Sequence, residues 1–180
     1  MLKAIIKAKL AAFEKQTGES TFFMSNLLEK AAGAFYRFLL LMPLLQYHKK
    51  LPKEAYHVAR IVTVKHEDCG ECLQTTVTLA MQDGLNPELI RAALESRWEE
   101  LPKPLNFVAD FTQKINDKDL SAEDLRFLLN EVYGEAAMLE LACVIASAKL
   151  FPTAKRGMGL ALSCQQIQVT LPEGVPLNAA

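Results

Sequence analysis

Apolar positions recur at intervals of three and four along almost the whole chain, which predicts a succession of helices. Leu2, Ile5, Ile6, Leu10 and Phe13 set a first helix over about 2–15, stopped by Gly18. Ser20 or Thr21 caps a second, through Met24, Leu27, Leu28 and Ala31, and a third runs over about 34–42 until Pro43 ends or kinks it. Pro52 suits the first turn of a fourth, with Ala55, Val58, Ala59 and Val62 facing inward. A fifth extends from Cys69 to about Gln82 and stops at Gly84.

Asn86-Pro87, a cap followed by a proline, opens a helix through Leu89, Ile90, Ala93, Leu94 and Trp98. Pro104 opens another through Phe107, Val108 and Phe111, and Ser121 with Asp124 forms a capping box before Leu125, Leu128 and Leu129. Gly134 separates that helix from Ala136–Leu150, which is apolar on every side and must be buried in a core or a subunit interface. Pro152 starts a last helix toward Gln165, followed by an extended tail over 166–180. The valine–threonine stretches at 61–64 and 75–78 favour strand, but the helical periodicity around them overrides that preference. The expected fold class is all-α: one domain with an N-terminal helical arm (1–50) and a core (52–165).

Length and composition fit that reading. The chain has 180 residues, 51% of them hydrophobic, enough for a substantial core. The formal net charge of −1 offers no electrostatic footprint for nucleic acid. The longest unbroken apolar run, Phe38–Leu45, falls far short of the roughly 20 residues of a membrane span, so no membrane partner is expected. Lys3, Lys7 and Lys9 lie among the apolar residues of the first helix, which reads as a docking or oligomer-contact helix rather than a signal peptide. With that, and only 4 cysteines, the expected setting is a reducing cytoplasm in which any disulfide is catalytic or transient.

The chemistry concentrates in His66-Glu67-Asp68-Cys69-Gly70-Glu71-Cys72. Asp68 reads as an N-cap and Glu71 as the partner of an acidic capping box, which places Cys69 at the first helical position and Cys72 one turn later. There the unpaired N–H groups and the helix dipole favour a thiolate. The spacing also permits half of a zinc site, with His66, Cys69 and Cys72 as ligands and Cys143 or Cys164 as a fourth, or a pair of inert cysteines. Cys143 and Cys164 read as small core residues, and Met24, Met42, Met81 and Met138 as core. His48 reads as part of a solvated helix exit. His57 and His66 are candidate bases for a thiol proton.

The order of these features, from Tyr56 through Asp68-Cys69-Gly70-Glu71-Cys72 and Gly84 to Asn86-Pro87-Glu88-Leu89-Ile90, resembles the AhpD-like, carboxymuconolactone decarboxylase superfamily. The likeness is more general through 136–150. It implies a homo-oligomer in which Cys69 and Cys72 form a redox dithiol that reduces a peroxide and is restored by an external thiol reductant, with no bound cofactor or metal. In the peroxidase branch a glutamate twelve residues before the first cysteine and a histidine four after the second relay protons. Those positions here are His57 and Thr76. Threonine is no base at neutral pH, so His57, alone or with His66 or Glu67, is the expected substitute. The alternative is a non-enzymatic helical oligomer or ligand-binding protein in which the pair is structural or a relic.

Overall fold

The computed structural model describes residues 2–160, and these are helical with no strands. The chain divides into two compact units, Met1–Gln46 and a larger one beginning at Tyr47, where the sequence had suggested one domain with an arm ending near 50. Cys164, the end of the last expected helix and the 166–180 tail lie outside the described residues.

In the first unit α1 (Leu2–Thr17), α2 (Phe22–Lys30), α3 (Ala32–Leu39) and the short α4 (Met42–Leu45) follow one another. Gly18 takes φ +76, the left-handed conformation that ends α1. Thr21 precedes α2 without capping it; its hydroxyl donates to Glu14 Oε1 at 2.9 Å. Pro43 opens α4 instead of ending α3, because its missing N–H costs nothing in a first turn.

The second unit is built around α5 (Lys53–His66). Ala55, Tyr56, Val58, Ala59, Ile61, Val62 and Val64 are all buried, and with buried His57 and Thr63 they place this helix at the centre. Around it pack α6 (Gly70–Gln82), α7 (Pro87–Leu94), α8 (Leu105–Asp117) and α10 (Glu135–Ala148); α9 (Ala122–Tyr133) lies on α8 and α10, and α11 (Leu150–Gly157) follows α10. Trp98, expected inside α7, sits in a separate 3-10 turn, Trp98–Glu100.

Three local devices fix the helix ends. Asn86 caps α7, its side chain accepting the Glu88 N–H at 2.9 Å. Lys65 Nζ donates to the Leu94 carbonyl at 2.6 Å at the other end of α7. Glu140, buried on α10, accepts the N–H groups of Lys50 and Leu51 on one oxygen at 2.7 and 2.8 Å, pinning the segment that leads into α5. The expected capping box at Ser121 is absent: its side chain makes no cap bond, and Asp119 accepts the Ser121 N–H instead.

Met24 and Met138 are buried as expected, whereas Met42 and Met81 are half-buried. Cys143, expected in the core, is exposed. It shares an uncovered stripe of α10 with Ala136, Leu139, Ala142 and Ala146, while Leu141, Val144 and Ile145 face inward. Together α10 and α11, Glu135–Gly157, form the one stretch among the described residues long and apolar enough to cross a membrane by length and composition. Half of its most apolar window is buried inside the protein.

Candidate functional site

The chain leaves α5 at His66 and turns through Glu67 and Asp68 into α6. Asp68 does not cap α6. It adopts φ 51, a left-handed turn conformation that aspartate tolerates better than most residues, and Cys69 takes the N-cap position. The Cys69 carbonyl accepts the Leu73 N–H at 2.8 Å, starting the helix one residue later than the sequence suggests. Cys72 therefore lies in the first turn, where backbone N–H groups lack intrahelical partners.

Cys69 and Cys72 are 4% and 7% exposed, with their Sγ atoms 2.7 Å apart and the Cys69 thiol directed at Cys72. The expected proximity at a helix start is thus realised, inside the hydrophobic cluster formed with α5 and its neighbours.

The surroundings differ from the expected relay. His57 is 3% exposed and its Nε2 lies 2.8 Å from Asp83 Oδ2, while Nδ1 is buried with no hydrogen-bond partner. Asp83 is at the far end of α6, eleven residues beyond Cys72 or about 16 Å along the axis. His57 is therefore not brought to the sulfurs. Burial lowers its pKa, against the opposing pull of the Asp83 hydrogen bond, and Arg60 adds to the lowering. His66 points away as well: its Nε2 meets Asp117 Oδ1 on α8 at 2.9 Å. Thr76, at the relay histidine position, is buried and donates its hydroxyl to the Cys72 carbonyl at 2.8 Å. His48 is half-buried and stacks on Tyr56, 4.0 Å between ring centres.

Glu67 and Glu71 are engaged by α11. Arg156 meets the Glu67 carboxylate at 3.4 Å, and Lys155 Nζ meets Glu71 Oε2 at 2.7 Å. Lys155 is 6% exposed, an unusual place for an ammonium. Burial pushes its pKa down, but the negative charge of the neighbouring thiols, Cys72 ahead of Cys69, and of Glu71 outweighs this and raises it. Sequence reasoning missed Lys155 and Arg156. The only local sign is a pair of cations in the last turn of a helix, which the helix dipole explains without any site.

Among the described residues, no three of His, Cys, Asp and Glu converge as metal ligands. His66, the ligand a zinc site would need beside the cysteines, is turned to Asp117.

Fold and site together define an all-α protein with a buried dithiol at the start of an internal helix and, beside it, a buried lysine paired with a half-buried glutamate. The chain matches no family model, no curated protein and no solved structure.

Proposed function

We propose that Cys69 and Cys72 form a redox dithiol that reduces peroxides, in an AhpD-like thiol oxidoreductase. The observation that supports this most is the 2.7 Å separation of the two sulfurs at a helix start, since disulfide closure needs only a small movement there. One thiolate attacks a peroxide oxygen: an S–O bond forms, the O–O bond breaks, and the alcohol or water leaves with a proton. The second thiol attacks the resulting sulfenic sulfur, forming the disulfide and releasing water. The pair loses two electrons and two protons to the peroxide. An external dithiol, by exchange through a mixed disulfide, restores it. A reducing cytoplasm supplies such a reductant, and a homo-oligomer joined through the exposed apolar stripe of α10 suits the same reading.

The second reading, a non-enzymatic helical protein with a structural or relic pair, draws on the relay positions: His57 serves Asp83 and Thr76 serves the helix backbone. Intact mass separates the two. In a Cys143→Ser, Cys164→Ser background, mild peroxide should remove two hydrogens, and either Cys69→Ser or Cys72→Ser should abolish that loss. If the pair stays reduced while a control surface thiol oxidises, the peroxidase reading fails.

A further inference from the structure

A cation as deeply buried as Lys155 is costly, because the attraction of one buried carboxylate seldom repays the desolvation of both ions. Stability alone therefore gives a poor account of the Lys155–Glu71 pair. Its position gives a better one. Glu71 stands in the first turn of α6 between the two cysteines in sequence, and it holds Lys155 Nζ at 2.7 Å. Arg156, on the same turn of α11, binds Glu67 just before Cys69, so α11 is fastened on both sides of Cys69. Glu71 takes one of the three N–H groups of the ammonium, which leaves donors for a second anion beside it.

We propose that Lys155, seated on Glu71, is the positioning residue that supplies the countercharge for a thiolate on the Cys69–Cys72 pair, where a histidine base was expected. The proposal rests on the redox reading of that pair. Electrostatic coupling is reciprocal: the sulfur charges that raise the pKa of Lys155 are favoured to the same extent by its ammonium. The dipole and unpaired N–H groups of α6 act in the same direction. Such a site has no need of a base to take the thiol proton, because a standing thiolate is already the nucleophile. The dithiol with one thiolate brings a second anion to Lys155. Closing the disulfide removes that charge and leaves lysine and glutamate matched one to one, so the oxidised state leaves no unpaired cation.

The test is the pH profile of iodoacetamide alkylation of the reduced full-length chain carrying Cys143→Ser and Cys164→Ser. Lys155→Met should raise the midpoint of the more reactive thiol by about one unit, making alkylation below the midpoint roughly tenfold slower. Lys155→Arg should keep the midpoint within a few tenths of a unit. Because Lys155→Met removes the cation that half-buried Glu71 holds, the isosteric double variant Glu71→Gln, Lys155→Met is measured too, and its midpoint should also rise. An unchanged midpoint in both Met variants overturns the proposal, as does a shift in Lys155→Arg as large as in Lys155→Met. Alkylation needs no peroxide turnover. If the midpoints move as expected while peroxide fails to oxidise the pair, the countercharge stands and the peroxidase reading falls.

Discussion

Removing His57 should make the protein less sensitive to mild acid. The imidazole is buried with one nitrogen on Asp83 and the other unpartnered, and its pKa is lowered chiefly by burial. In the unfolded chain it titrates near 6.5. As pH falls through that value the unfolded state takes up a proton that the native state refuses, so stability drops toward the depressed native pKa. The loss approaches at most about 1.4 kcal/mol per pH unit within that window, since one proton is involved. For a chain of this length, that corresponds to roughly 2–4 °C in melting temperature per kcal/mol.

His57→Gln retains an amide that can donate to Asp83 but does not titrate. The assay is urea denaturation of both proteins at a series of pH values from about 7.5 to about 5, the range in which an ordinary histidine titrates. Wild type should lose stability relative to His57→Gln as pH falls, because the other titrating groups cancel in the difference. Attraction between a charged imidazole and the Asp83 carboxylate works in the opposite sense. If wild type gains on the variant toward acid, that attraction exceeds the cost of burial and the reasoning is wrong.

Two further perturbations address the scaffold. Glu140→Ala leaves the N–H groups of Lys50 and buried Leu51 without their acceptor. Hydrogen bonds to a charged group are worth about 1.5–3 kcal/mol each, so denaturation should show a loss of roughly 3–6 kcal/mol, and a cost under about 1 kcal/mol would contradict the anchoring role. Lys118 ends α8 with φ 61, and the next N–H, on Asp119, returns to the Lys114 carbonyl at 2.9 Å. Lys118→Gly should therefore raise stability by about 0.5–1 kcal/mol, seen as a higher urea midpoint with an unchanged slope.

The helices were legible in the sequence wherever their signals are local. Glycine stops at 18, 84 and 134 fall where the backbone takes positive φ, and Asn86-Pro87 caps α7 as its chemistry implies. The spacing of Cys69 and Cys72 implied two sulfurs meeting in one turn, and they do. Such features involve residues within four positions of each other, so backbone geometry alone brings them together. Misreadings began where one local signal served two structures. Asp68 was as suited to a left-handed turn as to a cap, and Pro43 as suited to opening a helix as to ending one. Cys143 sits on a helix apolar all round, where periodicity cannot say which side faces outward.

The sequence by itself determined an all-helical chain and a dithiol at a helix start. Only the tertiary structure decided what surrounds that dithiol. Lys155 reaches Glu71 across 84 positions of sequence, and His57 turns to Asp83 across 26 rather than toward sulfurs twelve residues away. The rotation of α5 about its axis and the path of α11 set both outcomes. They follow from how whole helix faces pack, a property that no short stretch of sequence carries.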